Sequence, residues 1–164
     1  MTFNIVRFAT FEKESIEKNT IKFDRELRKY CVPCVNFKKP LCPPTFPYQE
    51  NKVQCYTRFR LIYAKLDFKE YKLYRARFHP DWTEKQLGNS RLWQPSLKKF
   101  LRKYISQYSF KYMLGCGAGM PPYGSMEAGG INVFETCENN YIYLEGKFLE
   151  SIEHYIHLVC LLMS

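Results

Sequence analysis

Cys55-Tyr-Thr-Arg-Phe-Arg-Leu-Ile-Tyr-Ala-Lys-Leu-Asp-Phe68 is rich in aromatic and β-branched residues, the composition of a strand that packs on a buried, pleated surface. It reads as a central strand, and the fold is built outward from it. On its C-terminal side Lys69 and Glu70 interrupt the apolar pattern, and residues 71–78 are expected as a second strand or an extended link. Thr83 followed by Glu84 marks a helix start, because a threonine hydroxyl accepts an otherwise orphaned backbone N–H. Pro95 then ends or restarts that helix, proline being tolerated in a first turn and costly farther in. From Ser96, the residues Leu97, Phe100, Leu101, Tyr104 and Ile105 recur at helical spacing. They predict an amphipathic helix with Lys98, Lys99, Arg102 and Lys103 on its wet face.

Farther out, residues 112–119 read as a strand running into a glycine turn, and residues 125–138 as a helix that buries Met126, Ile131, Val133, Phe134 and Cys137. Gly129-Gly130 weakens that helix by about 1 kcal/mol per glycine relative to alanine. Residues 141–144 and 155–163 are expected as two closing strands. Upstream of the central strand, residues 3–8 alternate as a short strand, followed by a polar turn or short helix. Residues 31–51 hold five of the nine prolines and no regular period, so they form a loop that something must order. Helices alternating with strands predict an α+β (or α/β) single domain over residues 1–164. Its mixed sheet has about four to five strands, with helices packed on it.

The 164-residue chain is 46% hydrophobic and 17% aromatic, a globular composition able to build one core without help from a metal or disulfides. The net charge of +9 is unevenly spread. Residues 52–103 carry 14 Lys+Arg against 4 Asp+Glu, whereas residues 123–164 carry 1 against 6. Such asymmetry marks either a solvated basic surface or a face for an anionic partner, a nucleic acid or an acidic protein. The first residues lack the apolar stretch of a secretory signal, and the longest apolar run, residues 158–163, falls far short of the roughly 20 residues that span a bilayer. A cytoplasmic protein without a membrane span is the expectation. Seven cysteines, an odd number, then argue for thiols or metal ligands over a disulfide framework.

Three of these cysteines fall in Cys31-Val-Pro-Cys34-Val-Asn-Phe-Lys-Lys-Pro-Leu-Cys42-Pro-Pro44, a C-x2-C-x7-C-P-P run. A Cys-x-x-Cys loop can aim two thiolates at one ion, and soft sulfur selects zinc or an iron-sulfur cluster over hard cations. Three thiolates leave a fourth position. Cys116, in the glycine turn, is the preferred ligand there, with Cys55 as competitor. If neither serves, a [4Fe-4S] cluster with one exchangeable iron, or a zinc with a water or substrate ligand, becomes possible, and a metal-free loop is the third alternative. Cys137 and Cys160 lie among apolar residues and read as small core side chains.

Asp24-Arg-Glu-Leu-Arg-Lys-Tyr-Cys-Val-Pro-Cys-Val-Asn-Phe37 with Leu41-Cys42-Pro43-Pro44, and later Ser125-Met-Glu-Ala-Gly-Gly-Ile-Asn-Val-Phe-Glu-Thr136, resemble two signatures of a prokaryotic family of predicted metal-binding proteins, domain of unknown function 2284. The resemblance implies metal binding through Cys31, Cys34 and Cys42. Members of that family carry further cysteines between the glycine turn and the second signature. This chain has only Cys116 in Gly115-Cys-Gly-Ala-Gly-Met-Pro-Pro-Tyr-Gly124, so a separate second cluster is not implied.

Other chemistry is thin. His79, His154 and His157 are too scattered for a zinc-protease pattern. The glycine turn lacks both the Rossmann spacing and the Walker lysine, and Ser125 has no nucleophile-elbow context. Glu127 reads as a helix-capping residue or an acid. No acid-base partners stand at a diagnostic spacing, so catalysis is left open. The leading function is binding of zinc or an iron-sulfur cluster in electron transfer, metal handling or an accessory role. The alternative is a nucleic-acid-binding module that uses the basic, aromatic segment 52–103, with Trp93, Tyr or Phe rings stacking on bases.

Overall fold

The computed structural model describes residues 4–116, 124–146 and 151–164. Four strands, β1 (Ala9–Ile16), β2 (Phe59–Asp67), β3 (Tyr112–Leu114) and β4 (Tyr155–Met163), form one sheet in the order β1-β2-β4-β3. All three pairings are antiparallel. The only parallel pairing among the described residues is an isolated bridge between Gly115 and Ser125. The α-helices are α1 (Glu50–Gln54), α2 (Phe68–Phe78), α3 (Glu84–Leu87), α4 (Ser90–Ile105) and α5 (Val133–Glu138). The result is an α+β domain with helices packed on a four-stranded sheet. No described helix is long and apolar enough to cross a membrane.

Strand parity decides the layers, because successive side chains point to opposite faces. Ile62, Ala64 and Leu66 of β2 join Ile156, Leu158, Cys160 and Leu162 of β4 in one apolar cluster, closed by Phe68 and Tyr71 of α2 and by Trp93, Leu97, Leu101 and Ile105 of α4. Leu61 of β2 and Val159, Leu161 and Met163 of β4 face the other way. They meet Phe46, Val53, Met126, Ile131, Val133, Cys137 and Ile142 from the loops and short helices. Burying one such aliphatic or aromatic side chain contributes about 1.5–3 kcal/mol, so both faces of β2 and β4 anchor the fold. The central-strand reading of residues 55–68 holds, trimmed to Phe59–Asp67.

Several local expectations are corrected. Within residues 3–8 the described part forms a 3₁₀ helix, Ile5–Phe8, whose N-cap Asn4 accepts the Val6 N–H at 3.1 Å. The strand lies next door in β1, expected as a polar turn or helix. As an edge strand it buries little beyond Ile16, so its exposed polar residues hide the period. Residues 71–78 belong to α2, not to a strand. Asp67 caps that helix through the Glu70 N–H at 3.0 Å, and only Phe68 and Tyr71 are buried. Pro95 neither ends nor restarts a helix: α4 runs through it from the Asn89 cap, which accepts the Arg91 N–H at 3.0 Å. Burial of Trp93 and the donation of its indole N–H to the Gly88 carbonyl at 3.3 Å hold the early turns in place. On the same helix Lys98 is buried rather than wet.

Residues 125–138 divide into a turn and α5. Gly130, at φ +83°, ends the turn in a conformation side-chain-bearing residues avoid, and Asn132 caps α5 through the Glu135 N–H at 3.0 Å. Residues 141–144 form no strand: Tyr141 sits at φ +60°, and the Ile142 N–H returns to the Cys137 carbonyl at 2.9 Å. Met126, Ile131, Val133 and Cys137 are buried as expected, and Phe134 is half-buried. The glycine turn expected at residues 115–119 lies largely outside the described residues.

Candidate metal centre

The two stretches that carry the family resemblance, 24–37 and 125–136, lie against one another. Phe23 bridges Ile131, the Asp24 N–H donates to the Gly130 carbonyl at 2.8 Å, and the Asn132 N–H donates to the Lys22 carbonyl at 2.8 Å. Asp24 then caps a 3₁₀ helix, Arg25–Cys31, by accepting the Glu26 N–H at 3.0 Å. Cys31 is therefore the last residue of a helix whose start is fixed to the 125–130 turn.

Arg28 fixes the rest. Its Nε donates to the Ala128 carbonyl at 3.0 Å, and its Nη2 donates to the Phe46 carbonyl. Its guanidinium lies 3.7 Å from the centre of the Tyr48 ring. One planar fork thus joins the cysteine helix, the far end of the cysteine loop and the turn. Gln49 adds a second tie. Buried, it accepts the Tyr112 hydroxyl at 2.8 Å, donates through Nε2 to the Pro47 carbonyl at 2.9 Å, and donates its backbone N–H to Gly129 at 2.9 Å. Every polar group of that buried side chain has a partner, as burial requires.

Between these anchors the loop is a series of turns. The Cys34 N–H donates to the Cys31 carbonyl at 3.0 Å, Phe37 to Cys34 at 3.0 Å, and Cys42 to Lys39 at 2.9 Å. Lys38, at φ +71°, folds the loop back: its N–H donates to the Pro43 carbonyl at 2.7 Å, and its own carbonyl accepts the Thr45 hydroxyl at 3.2 Å. Cys34 is exposed, and Cys31 and Cys42 are half-buried. The Asn36 N–H points at the Cys34 sulfur at 3.4 Å.

Electrostatics tie the three sulfurs together. Burial raises the Cys31 thiol pKa, and the Glu127, Cys34 and Cys42 charges raise it further, with Arg28 opposing them. Cys116 has a different immediate partner. A hydrogen bond from the Cys160 thiol, helped by the Lys98 ammonium, lowers the Cys116 pKa and sends that of Cys160 well up. Cys116 packs with the α4-side cluster, whereas Leu41 and Phe46 of the loop pack on the opposite face. Cys55, the competing ligand, is an exposed residue ending α1, and its thiol donates to the Asn51 carbonyl at 3.5 Å. Cys137 and Cys160 are buried, as core residues should be, and burial pushes the Cys137 thiol up to about 12. All seven cysteines are free thiols.

Glu127 is the charge common to both sulfur groups. The Gly115 N–H donates to Gly124 at 2.9 Å, and the Met126 N–H donates to Gly115 at 3.2 Å, which carries the 124–130 turn past the edge strand β3. From that edge the Glu127 carboxylate acts on Cys31 and on Cys116, Cys137 and Cys160. Its Oε2 is inaccessible and has no hydrogen-bond partner among the described residues. Burial raises its pKa, and its hydrogen bond with Ser125 and the Lys98 charge work against that rise. The helix that follows is capped by Asn132, not by Glu127. Sequence reasoning missed the positions of Arg28 and Lys98, and only their proximity in the fold reveals them.

Among the described residues no three His, Cys, Asp or Glu side chains stand close enough to form one metal-ligand group. The donor chemistry nevertheless suits a thiophilic metal: three thiols on one short loop, with a carboxylate nearby that has an unused oxygen. No family model matches the chain, and comparison with curated proteins and with solved structures returns no match.

Proposed function

We propose that residues 31–42 bind a thiophilic metal, zinc or a [4Fe-4S] cluster, through Cys31, Cys34 and Cys42, and that the protein serves in metal handling, electron transfer or an accessory role. The observation that carries this reading is the electrostatic one. Burial first, and then the Glu127, Cys34 and Cys42 charges, oppose ionisation of Cys31, so its thiol keeps its proton until a cation displaces it. A bound metal would supply Lewis acidity or, as a cluster, one-electron chemistry. The chain's own residues do the rest: Arg28 holds the loop's two ends, the Asn36 N–H contacts the Cys34 sulfur, and Glu127 or Cys116 offers the fourth donor.

Because the three thiols do not stand as a finished ligand set, binding draws the turns inward. Ligand thiols must lose their protons, so metal uptake releases protons and strengthens as pH rises. Protein prepared without oxygen should carry iron with a broad visible absorbance, or else zinc. Elemental analysis that finds neither metal, in cells supplied with both, would overturn the proposal.

A further inference from the structure

The strands end together on one side of the sheet, and what collects there is not metal chemistry. Ile16 pairs with Phe59, Phe59 with Met163, and Tyr112 with Met163. The residues just outside those pairs are therefore neighbours. The Arg58 N–H donates to the Ser164 carbonyl at 2.9 Å, and the Lys111 N–H donates to the Met163 carbonyl at 2.8 Å. Antiparallel register thus places Arg58 and Lys111 on either side of the end of β4, with Arg60 following on β2.

They line an open cleft of about 600 Å³, within the range of roughly 300–1,000 Å³ typical of small-molecule sites. Among its lining side chains Arg58, Arg60 and Lys111 face a single carboxylate, Glu17, while Ser15, Thr57 and Ser109 supply hydroxyls. None of the three cations makes an ion pair among the described residues. Arg60 is held in place instead: its guanidinium lies 4.9 Å from the centre of the Tyr108 ring, and the Lys13 ammonium also lies 4.9 Å from it. Elsewhere part of the basic excess of segment 52–103 is taken up by neighbours. Lys98 is buried near Glu127, Lys72 pairs with Glu84 at 2.9 Å, and Lys65 lies over Tyr155 at 4.3 Å.

We propose that this sheet-end cleft binds a small molecule bearing a phosphate monoester, with Arg58, Arg60 and Lys111 around the phosphoryl oxygens. Two guanidinium forks and an ammonium match a dianion with three terminal oxygens, and hydroxyl donors complete the shell. The volume accommodates an organic body beyond the phosphate. A cleft of this volume at one end of a sheet suits a compact ligand better than a continuous nucleic-acid backbone, which needs a groove that tracks it.

Calorimetric titration of the whole chain at low ionic strength tests this, using adenosine monophosphate, inorganic phosphate and adenosine as probes. The monophosphate and free phosphate should bind competitively and adenosine should not. Arg60→Ala and Lys111→Ala should each weaken the monophosphate roughly tenfold or more, the scale of a lost charge-assisted contact. Arg58→Ala, on an exposed side chain, gives the same reading if Arg60→Ala disturbs folding. Absence of phosphate binding, or binding that all three substitutions leave unchanged, overturns the proposal. So does a 5′-phosphorylated oligonucleotide whose affinity grows with its length, which would make the partner a nucleic acid.

Discussion

The sheet and the cysteine loop are stabilised in opposite ways. Leu61, Leu66, Leu161 and Leu162 lie in two apolar layers on either side of β2 and β4, and their contribution is spread over many contacts. The loop of residues 31–49 buries Phe46 but leaves Val32 and Val35 exposed, and it depends on a few discrete contacts from Arg28, Gln49 and Lys38. Burial makes the sheet insensitive to the loss of one polar group. A structure of turns held by a few donors can move without disturbing the core.

The contrast is sharpest in a pair of substitutions. Leu161→Ala, at a fully buried β4 position, should cost about 2–5 kcal/mol in denaturant unfolding, the range for a core leucine replaced by alanine. Val35→Ala, at 89% exposure, should cost less than about 0.5 kcal/mol. Comparable losses at the two sites would dissolve the distinction.

Arg28→Ala tests the loop's own anchor. It strands the Ala128 and Phe46 carbonyls and removes the nearer of two guanidinium groups from the Tyr48 ring, leaving Arg25 at 4.7 Å. The expected loss is about 1–3 kcal/mol, with faster amide exchange confined to residues 28–49 while β2 and β4 stay protected. Arg28→Lys should recover part of the stability, because an ammonium keeps the charge but not the fork. Faster exchange in β2 and β4 instead would place Arg28 in service of the core.

Two ionisable groups separate the sheet from the loop edge by their response to pH. His157 lies in β4, and burial, with the Lys65 charge, lowers its pKa from 6.5 to about 4. The unfolded chain therefore binds the proton first, so stability falls as pH drops from about 6.5 towards 4. His157→Gln should remove roughly 1–2 kcal/mol of that acid loss, a value reduced for partial exposure. Wild-type and variant curves that run parallel over this window would contradict it.

Glu127 has the opposite sign. Its raised pKa means that the protonated acid is favoured on folding, a contribution present below the ordinary carboxylate value and lost as pH rises through the folded one. In metal-free protein Glu127→Gln, which mimics the neutral acid, should gain in melting temperature over wild type as pH rises. This is the smallest of the effects, because Lys98 offsets part of the burial cost. A difference that stays constant with pH would show that the carboxylate is not strained by burial.

What the sequence disclosed follows the same division. β2, β4 and the buried face of α4 were legible because dense apolar residues leave a local period. β1 was not, since an edge strand keeps its backbone pairing while exposing polar side chains, and α2 was not, since only Phe68 and Tyr71 mark its inner face. The cysteine spacing was visible, and so were the two motif stretches. That the stretches touch, that Arg28 clamps both, and that Glu127 acts on Cys31 depend on residues up to about 100 positions apart, which no local pattern encodes. The basic segment misled in part, because charge counts do not show which lysines are buried or seated on rings.

Metal stoichiometry across serine substitutions probes the loop most directly. Anaerobically prepared wild type should hold zinc or cluster iron, and Cys31→Ser/Cys34→Ser/Cys42→Ser should lose it while keeping the wild-type sheet signature in circular dichroism. Equal metal content in the two proteins, or none in either, would contradict a thiolate site in residues 31–42.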